Sequence, residues 1–264
     1  MLVFPQLVTG ASSIYPLRKQ HNTRTVVNDL ADGRKVVYED ADAATVEWEL
    51  RLTGLTKAES DDIESLFEAV AGQWGTFTFL DPTGNLLAQS ELFDNTVWTN
   101  GPLLQLTPGV ADPHGGTAAF QVANHGQAGQ MVAQALDVPG NFQYSTSVWA
   151  RTVSGSKISL VAQTTGASVS RDFEPDATWR RFCLPVSLGQ ATASVTFGVS
   201  VDAAASAEVF GMQVEAQLGA SDYRHTGAKG GVYSKARFAS DSLTMRAQGT
   251  DIVDAVIRII APEN

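Results

Sequence analysis

The chain has 264 residues, 44% of them hydrophobic, and carries a net charge of −10 from 18 Lys and Arg against 28 Asp and Glu. That acid excess excludes a general binder of nucleic acid or anionic membrane, which needs a basic surface, and no apolar run approaches the roughly 18 residues of a membrane span. Met1-Leu2-Val3-Phe4-Pro5 lacks the basic-then-apolar order of a signal peptide, and the single cysteine, Cys183, excludes an internal disulfide and a zinc site of its own; the expectation is a soluble, β-rich protein made in a cytoplasm.

In chain order, residues 1–20 read as an irregular arm. After the turn Asp32-Gly33, residues 34–39 read as a short strand. Residues 45–53 alternate: Val46, Trp48, Leu50 and Leu52 point one way and Glu47, Glu49, Arg51 and Thr53 the other, which predicts a half-buried antiparallel strand. A helix follows. Thr56 is a good N-cap, Glu59 completes a capping box, and Ile63, Leu66, Phe67 and Val70 fall on one stripe before Gly72 stops the element. Trp74 and the alternation over 76–79 return to strand. Beyond the turn Asp81-Pro82-Thr83-Gly84, Phe93 and Trp98 are expected to anchor the N-terminal strand of a β-module on its sandwich. Eight short strands are predicted there, at 118–122, 130–136, 142–151, 157–163, 168–173, 179–186, 193–201 and 208–215. Their regular spacing is that of a sandwich or jelly roll. After the Gly-rich stretch 225–231, residues 241–247 and 252–260 read as a hairpin around Gln248-Gly249-Thr250-Asp251.

The charge is unevenly spread. Residues 85–224 hold 11 acids and 6 bases, while the other 124 residues hold 17 and 12. The middle is therefore about half as charged per residue, and turn-rich seams flank it. This predicts a discontinuous outer domain, 1–84 with 225–264, interrupted by an inserted domain, 85–224. The fold class expected is mainly β: a sandwich or antiparallel sheet with one α-helix, carrying an inserted jelly roll. Within the outer domain, residues 29–68 are net −8 and residues 1–28 net about +3. Opposite poles suit head-to-tail stacking of copies.

No catalytic constellation is present in the sequence. The four histidines (His21, His114, His125, His225) lack metal-ligand spacing. Asp61 and Asp62 fall on the polar helix face, and Cys183 reads as a core thiol without a base. A glycan-processing enzyme would need two carboxylates about 5–9.5 Å apart across a cleft, and no pair is a candidate. The strand around Trp149 is more informative. Tyr144, Thr146, Val148 and Ala150 make one face, and Gln143, Ser147, Trp149 and Arg151 the other. If the first set is core, an indole, a guanidinium and an amide face outward, a platform and donors suited to a sugar. Trp149, Arg151 and Gln143 are therefore the glycan-binding candidates, against the alternative that Trp149 packs under a loop or a neighbouring subunit. Trp179 reads as structural.

The stretch Asn85-Leu86-Leu87-Ala88-Gln89-Ser90-Glu91-Leu92-Phe93-Asp94, then Trp98, Val148-Trp149-Ala150-Arg151, Thr178-Trp179-Arg180-Arg181-Phe182, Phe210-Gly211-Met212-Gln213-Val214-Glu215, Tyr223 and Thr226-Gly227 resembles the carbohydrate-binding-module-like jelly rolls of tailed-phage tail and spike proteins. The resemblance spans about 140 residues and departs from the usual frame at Met212 and Asp222. The outer parts, with the strand around Trp48, the capped helix and Gly75-Thr76-Phe77-Thr78-Phe79-Leu80-Asp81-Pro82, resemble the N-terminal domain of phage distal tail proteins. These resemblances imply a non-catalytic virion protein of the tail tip, made in the host cytoplasm. It would form a ring, commonly hexameric, between the tail tube protein and the hub or tip proteins, and its inserted module would touch host-surface glycan or else only brace the tip. Related jelly rolls often carry a structural calcium ion, although no acidic loop here has calcium-ligand spacing; no other cofactor, no nucleic acid and no membrane insertion is implied.

Overall fold

A computed structural model of the protein describes residues 1–8, 16–152 and 155–263. The protein is mainly β, with antiparallel sheets and one α-helix, and forms two compact units: Met1–Phe79 with Tyr233–Asn264, and Leu80–Val232.

The first unit contains β1 (Arg18–Asp29), β2 (Lys35–Thr56), α1 (Lys57–Ala69) and β3 (Phe77–Leu80). β1 and β2 form a long hairpin turned at Gly33, whose φ of 81° favours glycine. The arm expected over 1–20 is corrected at both ends. β1 already begins at Arg18, and Val3 bridges Thr78 while Phe4 and Leu7 are buried; residues 9–15 lie outside the described set. The two strands expected at 34–39 and 45–53 are one 22-residue strand. Residues 41–44 (Ala-Asp-Ala-Ala) are poor β-formers and bulge out of the ladder, which resumes in register with β1 on either side of them, at Asp40 with Arg24 and at Thr45 with Asn22.

The capping box of α1 forms in both directions. The Thr56 side chain accepts from the Glu59 N–H, and the Glu59 carboxylate accepts from the Thr56 N–H at 2.9 Å. Ile63, Leu66 and Val70 are buried against the core with Trp48, Phe77 and Phe79. Trp74 is not in a strand; it sits in the turn after the helix, 83% exposed, and β3 starts at Phe77. All four β3 residues are buried, so the alternation of Phe and Thr there does not separate core from solvent.

The second unit contains β4 (Thr99–Asn100), β5 (Leu104–Val110), β6 (Ala119–Asn124), β7 (Gln130–Leu136), β8 (Gln143–Arg151), β9 (Ile158–Gln163), β10 (Ser168–Phe173), β11 (Arg180–Ser187), β12 (Val195–Val201) and β13 (Ser206–Glu215). One sheet has the order β10-β9-β12-β7-β4 and the other β11-β8-β13-β6-β5, with a shared core that includes Phe93, Phe120, Tyr144 and Phe197. This is a jelly-roll sandwich. Phe93 and Trp98 are buried edge to face at 5.1 Å, on a segment without strand structure. The boundaries lie at 79/80 and 232/233 rather than at the charge shift, because the Asp81 N–H donates to Gly231 O and the Gly231 N–H to Asn85 O, tying the two seam segments into this unit.

The chain then returns through β14 (Val232–Phe238), β15 (Met245–Gly249) and β16 (Ile252–Pro262). The sheet order of the first unit is β1-β2-β16-β14-β3, with β15 also on β16. β14 is absent from the sequence expectation, and β15 begins at Met245 rather than 241.

Candidate functional site

The candidate residues lie on the outer face of the β11-β8-β13-β6-β5 sheet. Tyr144, Thr146, Val148 and Ala150 of β8 are buried toward the core. The opposite face runs Gln143, Ser145, Ser147, Trp149, Arg151. Cross-strand neighbours on β13 are Glu215, Gln213, Phe210 and Glu208; those on β11 are Ser187, Pro185, Cys183 and Arg181.

Most of this face is covered by the segment that follows β13. The Ser221 N–H and hydroxyl both donate to Glu215, Arg181 donates to Ser221 O and at 2.9 Å to Ser147 Oγ, and the Gln213 amide exchanges hydrogen bonds with Asp222 O and the Arg224 N–H. Ser145, Ser147 and Gln213 are consequently buried. Cys183 lies on this face beside Ser147, half-buried, and burial pushes its thiol pKa up, so it is a poor nucleophile.

The Trp149–Arg151 end is different. Trp149 is mostly buried, with His114 at 5.8 Å edge to face and Phe210 paired across the strand. Arg151 donates to Glu208 at 2.5 Å and lies over the Trp179 ring at 4.8 Å; the Arg151 and Glu208 side chains remain 28% and 29% exposed. Trp179, assigned to packing by its position before a core strand, is thus half of a stacked pair, and its indole N–H donates to Ala111 O. A depression of about 30 Å³, lined by Gln121, Arg151, Thr152, Ser206, Ala207 and Glu208, adjoins the pair. It has room for water but not for a sugar ring, so a glycan here would lie on a platform rather than in a pocket. Gln143 is at the other end of β8, roughly 27 Å away at 3.4 Å per residue, where it faces Ser187. Trp149 and Arg151 are brought together; Gln143 is not.

His114, Phe210 and Glu208 enter the site without being singled out by the sequence, and Trp179 enters it although its position read as structural. The outward alternation of Glu208 and Phe210 on β13 was the available signal; nothing local marked His114. A loop anchored by Asp112 holds His114. Burial alone would raise the Asp112 pKa, but the N–H groups of Ala118, His114 and Gly116 donate to it and outweigh burial, holding it below the ordinary aspartate value. Stability from these bonds is therefore present above the ordinary aspartate range and lost as pH falls through the lowered value. Asp112→Ala is expected to speed hydrogen exchange at the 114, 116 and 118 amides at pH 7 by about tenfold or more, measured by NMR, while the wild type keeps its protection until pH falls through the lowered value of this carboxyl.

Among the described residues no group of three or more His, Cys, Asp or Glu side chains could hold a metal ion. No described helix is long and apolar enough to cross a membrane.

No protein-family model matches the chain, and no curated protein matches it. Solved structures similar to it include the enzymatically active domain of tailspike protein 4 of bacteriophage CBA120, at 13% identity and TM-score 0.42 over 52% of this chain; the match spans 22% of that domain's length. A family 61 carbohydrate-binding module in complex with β-1,4-galactotriose is similar at 16% identity and TM-score 0.40, covering 50% of this chain and 99% of the module. The CBM22-1 xylan-binding domain of Paenibacillus barcinonensis Xyn10C is similar at 16% identity and TM-score 0.41, covering 52% and 96%. Likeness at this level carries no argument about what this chain binds.

Proposed function

We propose that the chain is a non-catalytic virion protein of a tailed phage. Its discontinuous unit would assemble with further copies into a ring, hexameric by the family resemblance, between the tail tube protein and the hub or tip proteins. Its jelly-roll unit would contact host-surface glycan through the Trp149–Arg151 end of β8. The observation that carries the glycan reading is the partly exposed cluster of Arg151 stacked on Trp179, with Glu208 and Gln121 beside it and Trp149 adjacent: aromatic surface next to charged and amide groups suits sugar C–H faces and hydroxyls.

Glycan-array binding of the intact protein tests it. Wild type is expected to bind, and Trp149→Ala or Arg151→Ala to lose about 2 kcal/mol, a roughly 30-fold drop typical of a central aromatic or Arg anchor. Gln143→Ala is expected to matter only for chains long enough to span β8. The covering segment 216–226 favours a second reading, in which the unit only braces the tail tip. Absence of binding by wild type across the array selects that reading and overturns the first.

A further inference from the structure

The β1–β2 hairpin runs on beyond the sheet that supports it. β16 pairs with β2 only from Thr45 to Thr56, and the Glu263 N–H donates to Ala44 O. From there outward, residues 35–40 of β2 are in register with β1 alone among the described residues and residues 41–44 form the bulge at its base, leaving a two-stranded ribbon with a free edge on each side. Val27 faces Val37 across the ribbon, and Val26 faces Tyr38 on its other side. Val27, Leu30, Val37 and Tyr38 are 50%, 42%, 60% and 56% exposed. A two-stranded ribbon is marginal in water by itself, and its unpaired N–H and C=O groups are a template for another strand.

Charge selects the strand that fits. β1 carries Arg18, Lys19 and Arg24 against Asp29, while residues 35–43 carry Glu39, Asp40 and Asp42 against Lys35. Pairing β1 with a second β1 would crowd bases, and pairing two β2 edges would crowd acids; like charges across strands are unfavourable. Only β1 against β2 joins opposite signs.

We propose that the β1 edge of one copy adds to the free β2 edge, residues 35–43, of the next copy. The contact is head to tail, so each copy offers one edge and accepts one, and repetition gives a ring or an open filament rather than a two-fold dimer. This rests on the reading of the chain as self-assembling and assigns that assembly its contact.

The test uses the full chain with Cys183→Ser. One variant carries only Thr25→Cys and the other only Asp42→Cys, and each is treated with a short bis-maleimide crosslinker alone and mixed. Covalent dimers are expected in the mixture and not in either variant alone. In parallel, Glu39→Lys with Asp42→Lys is expected to weaken association about tenfold by sedimentation, from two reversed cross-strand charges. Crosslinking of Thr25→Cys alone, or of Asp42→Cys alone, overturns the head-to-tail edge. Wild type that assembles, with the Lys variant assembling equally well, overturns the ribbon contact and leaves self-assembly standing. Wild type that remains monomeric at its highest soluble concentration overturns self-assembly and this contact together.

Discussion

Asn85→Ala is expected to destabilise the jelly-roll unit by about 3 kcal/mol or more, read as faster hydrogen exchange in peptides from 80–232. The reason lies in β13. Its pairing with β8 shifts register between Phe210 and Gln213, and β6 pairs only with its first half, residues 206–209. Residues 85–90 take the place of a neighbouring strand along the second half, with the Leu86 N–H donating to Val214 O and the Met212 N–H to Ser90 O. The Asn85 side chain closes the remaining gap: its amide donates to Met212 O at 2.9 Å and Arg224 O at 3.4 Å, and its oxygen accepts from the Leu87 and Val214 N–H groups at 3.1 and 2.9 Å. The residue is 1% exposed. Alanine would leave two buried N–H groups and two carbonyls without these partners, each buried group costing roughly 1–3 kcal/mol when unsatisfied. A surface control such as Asp94→Ala should stay within about 0.5 kcal/mol of wild type. An Asn85→Ala protein with unchanged exchange in 80–232 would contradict this account.

The residues that carry the jelly-roll resemblance prove to be mostly closure devices of this kind. Ser90 Oγ is 2.8 Å from Tyr223 OH and accepts from the Thr226 N–H, and the Thr226 hydroxyl donates to Leu87 O, so the start and end of the unit are fastened to each other. Gly211 has φ 61°, and a Cβ there would stand 2.9 Å from the Tyr223 ring, so the Phe-Gly-Met step admits only glycine without rearrangement. Burial pushes the Tyr223 hydroxyl pKa up, as expected of a structural phenol. The motif speaks for the way the chain enters and leaves a sandwich, not for a ligand.

The legible elements were those with one buried face. Residues 45–53 alternate because Val46, Trp48, Leu50 and Leu52 are all in the core, and β7 and β10 have the bounds that periodicity places. β1 was illegible because its side chains are nearly all exposed or partly exposed, so no apolar period exists to read. β5 hid behind Pro108 and Gly109, which read as breakers and instead form an irregularity between Thr107 and Val110. At the candidate site, period two correctly put Trp149 and Arg151 on one face. It could not show that the segment after β13 covers Ser145 and Ser147, since that cover is held by the buried amide of Gln213 and by Glu215 through bonds to backbone groups. Nor could it pair Arg151 with Trp179, which meet only through the register of β8 and β11.

Trp48→Ala is expected to destabilise the other unit by about 3–5 kcal/mol, the range for removing a buried aromatic. Trp48 is fully buried, meets Phe79 edge to face at 5.0 Å and Tyr233 at 4.6 Å, and has Lys19 Nζ over its ring at 5.6 Å. It lies on β2 where β2 pairs with both β1 and β16: its register partners are Lys19 and Ile259. It therefore joins two strands near the start of the chain to one at its end, and the cavity left by alanine would open all three. Its indole N–H has no hydrogen-bond partner among the described residues. Trp48→Phe removes that buried donor while keeping most of the ring, so its cost should be well below that of alanine, about 1 kcal/mol. Denaturant unfolding of the intact protein, with hydrogen exchange in peptides from 35–56 and 252–262, separates the two variants. If phenylalanine costs as much as alanine, the indole N–H is bonded and the packing account of this site is wrong. If both are silent in those peptides, Trp48 does not hold β1, β2 and β16 together, and the support of the ribbon at its base must come from elsewhere in the unit.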